Sequence, residues 1–280
     1  YDNVSFSVSG QEGIPRSIHF KTDGTKMYMI GDGSNSVYQY TLSTPWDLST
    51  ASYDNVSFSV SGQDGETRSI HFKPDGTKMY MVGMNSDRVH QYTLSTPWDL
   101  STASYDNVNF SVSGQGGSPF GIDFKPDGAK MYMVGVVSDS VFQYTLSTPW
   151  DLSTASYDNV SFDASGQDST PVGIHFKPDG TKMYMNGIVS DRVYQYTLST
   201  PWDLSTASYD NVSFSVSQDG SPFGIHFKPD GTKMYMVGVV FESVFQYSTG
   251  TLSDQSTLIE AIAQDDGTTP VKLRKIWDEA

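Results

Sequence analysis

A chain of 280 residues with 37% hydrophobic and 13% aromatic content is too apolar for a disordered polymer and long enough to bury roughly three quarters of its unfolded surface. Its formal net charge of -15 argues against nucleic acid as a partner, since phosphate binding relies on clustered lysine and arginine. No run approaches the roughly 20 apolar residues of a membrane helix, so no membrane insertion is expected, and the absence of cysteine removes disulfide and thiolate chemistry.

Tyr1 to Gly10 carry neither a basic nor a long apolar region, so no signal peptide is read there, and a start at Tyr1 rather than Met is that of a mature product or an excised piece. Within this opening, Asn3 to Val8 reads as a strand of the outer type. It belongs to the phrase Tyr-Asp-Asn-Val, which begins at Tyr1, Tyr53, Tyr105, Tyr157 and Tyr209, a constant period of 52 residues. Periods of this size with several short strands point to a propeller.

The second unit shows the strands most clearly. Ser69 to Phe72, Lys78 to Val82, Val89 to Leu94 and Asn107 to Val112 are rich in Val, Ile, Phe and Tyr and are separated by Gly, Pro, Asp and Ser. The first two are joined by Lys73-Pro74-Asp75-Gly76-Thr77, where proline presets φ and glycine supplies the positive φ of a tight hairpin. In the fourth run Val108, Phe110 and Val112 alternate with polar residues, as in a strand buried on one face. Between the third and outer strands, four units carry Thr-Leu-Ser-Thr-Pro-Trp-Asp-Leu-Ser-Thr-Ala-Ser, around Trp46, Trp98, Trp150 and Trp202. These tryptophans are read as plugs under each blade, with sugar stacking as the alternative.

The last unit has inner strands at Ile225 to Phe227, Lys233 to Val237 and Val244 to Tyr247 but no outer strand of its own. Pairing the N-terminal strand onto it would remove an open sheet edge and close the ring. The expected fold is therefore all-β: a five-bladed β-propeller over residues 1–247, with four antiparallel strands per blade. Residues 248–280 form a tail expected to be partly helical, with starts near Asp254 and Thr269, and available for self-association.

The unit Ser69-Ile-His-Phe-Lys-Pro-Asp-Gly-Thr-Lys-Met-Tyr-Met-Val-Gly resembles the blade core of propellers with a Pro-Asp-Gly turn, the YVTN and WD40-like class. Together with Val-Tyr-Gln-Tyr-Thr-Leu-Ser-Thr-Pro-Trp-Asp-Leu-Ser-Thr-Ala-Ser it is similar to repeats of marine bacteriophage structural and tail proteins. The resemblance covers residues 1–247, implies the fold and a virion or extracellular setting, and brings no catalytic residues.

The five copies differ mainly in two loops that a propeller places on one face, the second-to-third and the outer-to-first connections. Variation on a rigid frame is how recognition surfaces are built, although solvated loops also drift. The residues expected to bind there are Arg16, Arg68, Arg88, Phe120, Arg192, Phe223, Phe241 and Glu242. On the first strands, His19, His71, His175 and His226 share one position with Asp123 and define a channel-strand polar ring, read as structural and with no metal assigned. His90 stands alone where other copies carry Tyr or Phe, and is read as packing.

No copy breaks the symmetry as a catalytic acid and base would require. The expected function is a non-enzymatic binding or structural module without a cofactor, its loop face attaching to a glycan or protein surface. Two alternatives remain: a glycoside hydrolase or lyase centred on the channel, where Asp123 is the carboxylate available, and a structural spacer with an oligomerising tail.

Overall fold

The computed structural model describes residues 1–249, and the expected tail helices and tail self-association lie outside these residues. Five four-stranded antiparallel sheets form the ring. In the first blade the strands are Pro15–Phe20, Lys26–Gly31, Ser36–Leu42 and Ala51–Ser59, running in order from the central channel to the rim. The fifth sheet contains Pro222–Phe227, Lys233–Gly238, Ser243–Ser248 and, at its rim, the N-terminal strand Val4–Ser7. Val4 pairs with Gln246 and Ser7 with Ser243, so the two ends of the propeller share one sheet.

Outer strands begin earlier than the alternation pattern indicated. In the second unit the strand starts at Ala103 rather than Asn107, directly after a short 3-10 turn at Leu100–Thr102. The pattern is broken there by a bulge, a register shift opposite Gln91 and Tyr92 in which Asn107 sits at φ 56°. Asparagine tolerates this left-handed geometry better than most residues. The bulge turns the preceding aspartate inward: Asp106 accepts hydrogen bonds from Lys78 Nζ, Gln91 Nε2 and Thr93 Oγ1 at 3.2, 2.8 and 3.0 Å. Tyr-Asp-Asn-Val is thus a bulge motif as well as a repeat marker.

The core lies between blades. One cluster joins Ile18, Phe20, Met27, Met29 and Tyr40 of the first blade to Tyr235, Val237 and Val244 of the fifth, and each neighbouring pair repeats this arrangement. The face carrying the Pro-Asp-Gly turns is closed by the tryptophan loops. Trp46 stacks on Phe20 at 5.4 Å and lies over the backbone of Gly24, where a Cβ would fall 2.3 Å from the indole. Gly24 also sits at φ 75°, so both the turn and the indole above it demand glycine. Trp46 itself has φ 63°, an unfavourable geometry for a bulky side chain, and it is held by hydrogen bonds from its N–H to the Gly24 carbonyl and from Tyr235 Oη to its own carbonyl. The plug reading of these tryptophans matches the observed packing.

Candidate functional site

All five first strands face a narrow central channel. At the end nearer the tryptophan loops, His19, His71, Asp123, His175 and His226 meet as a closed ring. His19 is 4.9 Å from His71 and 5.0 Å from His226 between ring centres, and His175 is 5.0 Å from His226. Asp123 completes it: Oδ1 lies 3.1 Å from Nδ1 of His71, and Oδ2 accepts the Phe176 N–H at 2.7 Å from the next blade.

Electrostatics assign opposite states to the two residue types. Burial, followed by the neighbouring imidazoles, pulls His19 and His226 well below the ordinary histidine range. The same burial lowers His175, although the Asp123 charge opposes it. For Asp123 burial acts to raise the pKa, but the His71 bond, the neighbouring imidazoles and the Phe176 N–H outweigh it and hold the carboxyl below its usual value. His19, His175 and His226 therefore favour the neutral imidazole, beside one carboxylate that favours its charged form. Among the described residues, no three histidine, aspartate or glutamate side chains converge as a metal ion would require.

At the opposite mouth, the eight residues expected to form a binding surface separate into two groups. Arg16, Arg68, Phe120 and Phe223 wall the channel, together with Val172 at the same strand position. Arg16 and Arg68 both bond the Asp32 carboxylate, Arg16 at 3.0 Å. The Arg16 guanidinium lies 4.2 Å over the Phe223 ring, Phe223 stacks on Phe120 at 6.2 Å, and Phe120 receives Arg68 at 5.0 Å. The mouth is thereby laced shut around most of its circumference. The channel cavity below it is about 40 Å³, enough for about two or three water molecules and too small for a sugar ring.

Arg88, Arg192, Phe241 and Glu242 lie instead at the rim-side second-to-third loops. Arg88 bonds Asn109, Arg192 bonds Ser213 Oγ at 2.9 Å, and Phe241 is 61% exposed. Glu242 occupies a left-handed turn position at φ 48°. The corresponding loops also display Val137, Val189 and Val240, exposed by 74%, 66% and 60%. These valines form an apolar arc over the third, fourth and fifth blades, whereas the first two blades present Gly33 and Asn85 at the same loop position. Ile14, 37% exposed, adds to the same face.

In four of the five blades this loop is fixed by an acidic residue not among the expected site residues. Glu12 accepts from the N–H groups of Ile14, Gly33 and Ser34 at 2.9, 3.0 and 3.0 Å. Asp64, Asp168 and Asp219 do the same in their blades; Asp219 takes the Val240 and Phe241 N–H groups at 2.9 and 2.8 Å. The third blade has Gly116 there, where a Cβ would come within 2.7 Å of the Phe142 ring. The signal was present in the recurring acid after Gln11, Gln63, Gln167 and Gln218. Only the fold shows that it reaches across to the next loop.

His90 is buried against Tyr105, with Nε2 3.4 Å from Ser86 Oγ and, among the described residues, no partner for Nδ1.

Strand order, ring closure and the narrow channel define the class: this is a five-bladed β-propeller with its variable loops gathered on one face. No protein-family model matches the chain, and no curated protein is significantly similar to it. Solved structures share the fold at low identity. One is a functionally unknown protein from Desulfotomaculum acetoxidans, 14% identical with a TM-score of 0.54, the match covering 85% of this chain and 83% of that one. Another is a candidate 6-phosphogluconolactonase from Bacteroides uniformis, 14% identical with a TM-score of 0.51 over 85% of this chain and 68% of the other. A third is a chain of a nidogen/laminin complex, 14% identical with a TM-score of 0.50, covering 84% and 75%. At these identities the likeness establishes the fold alone.

Proposed function

We propose that this propeller is a non-enzymatic interaction module whose loop face docks onto the surface of another protein. One observation carries the reading: Val137, Val189, Val240 and Phe241 are held out to solvent on equivalent loops, and Asp168 and Asp219 stiffen those of the fourth and fifth blades from beneath. Large apolar groups exposed together on one face mark interaction sites, and a stiffened loop loses little entropy on binding. Arg192 and Glu242 beside the arc supply a polar rim, the usual anatomy of a protein interface. Aliphatic side chains favour a protein over a glycan, which is better met by flat aromatic faces. The virion or extracellular setting implied by the repeats belongs to the same proposal.

The channel-centred hydrolase or lyase finds less support. A space of about 40 Å³ beneath a mouth laced by arginine and phenylalanine leaves little room for a substrate beside Asp123. Photocrosslinking separates the two readings. A photoreactive residue at position 240, exposed to virion or cell-surface protein extracts, is expected to capture partners that the same group at Ser101 on the opposite face does not. Equal capture from both faces, or polysaccharide hydrolysis abolished by Asp123→Asn, would overturn the proposal.

A further inference from the structure

The loops that expose the apolar arc also carry charge. Asp139, Asp191 and Glu242 each stand two residues beyond a valine of the arc, at left-handed turn positions with φ of 48°, 51° and 48°. The first blade has Asn35 at this place, at φ 49°, and Gly33 instead of the valine. The third blade adds Asp163, an exposed residue paired with Ser140 at the end of the outer strand, where other blades carry Ser59, Ser111 and Ser215. Beneath the fourth and fifth loops lie the anchoring carboxylates of Asp168 and Asp219.

Little positive charge balances these groups. Among the described residues every lysine is paired with an aspartate of its own blade, and Arg16 and Arg68 both bind Asp32. Of the two other described arginines, Arg88 belongs to the second blade, outside the arc, and Arg192 stands among the acids of the arc, bonded to Ser213. The crowding of like charge is felt at Asp191, whose pKa is raised by burial first and then by Asp168 and Asp219. A face that joins exposed apolar groups to an uncompensated anionic rim complements a surface of opposite sign, and repels a nucleic acid or an anionic lipid.

We propose that the partner of the loop face is a cationic protein surface, one that sets apolar side chains on Val137, Val189, Val240 and Phe241 and lysine or arginine groups beside Asp139, Asp163, Asp191 and Glu242. The inference rests on the docking reading above and adds the partner's charge to it. Apolar contact supplies the anchor, while the charges speed encounter and fix orientation. The arrangement also accounts for the placement of the acids: valine and acid occur together on the third, fourth and fifth loops, whereas the first blade lacks both at these positions.

The test is titration calorimetry of the full chain with three synthetic peptides: one of leucine and lysine, one with glutamate in place of the lysines, and one with serine in place of the leucines. The leucine–lysine peptide is expected to bind best. Asp139→Asn, Asp191→Asn and Glu242→Gln combined should weaken it about tenfold, the sum of three exposed charge interactions, and asparagine suits the turn as Asn35 does. Val189→Ser with Val240→Ser should weaken it as well. Removing equal charge from the opposite face, by Asp75→Asn, Asp127→Asn and Asp179→Asn, should change binding less than about twofold. Equal weakening by the two charge triples overturns the inference, because net charge rather than the arc then attracts the peptide, and so does failure of the leucine–lysine peptide to bind. Equal binding of the glutamate peptide overturns it too but leaves the docking reading standing. Equal binding of the serine peptide, or indifference to the valine changes, removes the apolar anchor on which both depend, whereas photocrosslinking at position 240 still reports on docking by itself.

Discussion

Asp2 accepts a hydrogen bond from Nζ of Lys233 at 3.1 Å, across nearly the whole length of the propeller sequence. The same carboxylate takes Gln246 Nε2 at 3.0 Å and the Ser248 N–H at 2.7 Å. It occupies the place that Asp106 fills between second, third and outer strands within a continuous blade. Ring closure thus reuses the bulge aspartate of every other blade, supplied from the opposite end of the chain.

Asp2→Ala should therefore lower stability by about 1 to 3 kcal/mol, because the lysine and glutamine lose a charge-assisted acceptor in a partly buried site. Burial raises the Asp2 pKa, but the bonds from Gln246, Lys233 and Ser248 outweigh it and hold it below 3.8. Its contribution is accordingly complete above pH 3.8 and lost as the pH falls through the lower folded value. Urea melts of Asp2→Ala and wild type should differ at pH 7 and converge under strong acid. A constant difference across that range would contradict the linkage.

His90 offers a sharper pH signature. Burial, the largest influence, pushes its imidazole from 6.5 down to about 4, with Asp64 opposing and Arg88 adding to the shift. Between those values the unfolded chain binds a proton that the folded chain refuses, so stability is full above pH 6.5 and falls as the pH drops toward 4. His90→Phe places the residue found at Phe142 and Phe245 and removes the unpaired Nδ1. Relative to wild type, the variant should gain roughly 2 kcal/mol on going from pH 7 to pH 5. Parallel stability curves for the two proteins would refute this.

Within the channel, Asp123 anchors two backbone N–H groups, Phe124 at 2.9 Å and Phe176 at 2.7 Å, as well as His71. Asp123→Asn turns one acceptor into a donor and should cost about 1 to 3 kcal/mol. Removing the anion also takes away the charge that opposes the lowering of His175. The acid-side loss of stability below pH 6.5 should deepen in the variant. Calorimetry at pH 7.5 and 5.5 reads both effects.

The loop anchors predict a local change. Asp168→Ala orphans the Thr170 and Ser190 N–H groups, bonded at 2.8 and 2.9 Å. A loss of about 1 to 3 kcal/mol is expected, together with faster amide exchange confined to Thr170 and to residues 188–191. Exchange in the Trp202 loop of the same blade should stay unchanged. If it accelerates equally, the carboxylate supports the whole blade rather than one loop.

Much of the architecture is legible before folding because it is local chemistry repeated. The 52-residue period, the Pro-Asp-Gly turns and the missing outer strand after Tyr247 together specify blade number and closure. Strand starts were less legible, since the Asn107 bulge interrupts the alternation by which an outer strand is recognised. The roles of Asp2, Asp106 and Asp168 were hidden for a different reason: each acts on partners brought near only by strand pairing or by a loop returning to the same face.

The first strands make the same division. Sequence alone determined that four histidines and Asp123 share one register position, because a repeat imposes equivalent places on equivalent residues. Only the tertiary structure decided that these side chains touch in a closed ring, and that Arg16, Arg68, Phe120 and Phe223 lock the channel mouth rather than stand free on loops. Those contacts depend on how far apart five strands stand around the axis, a distance set by interblade packing and written in no single repeat.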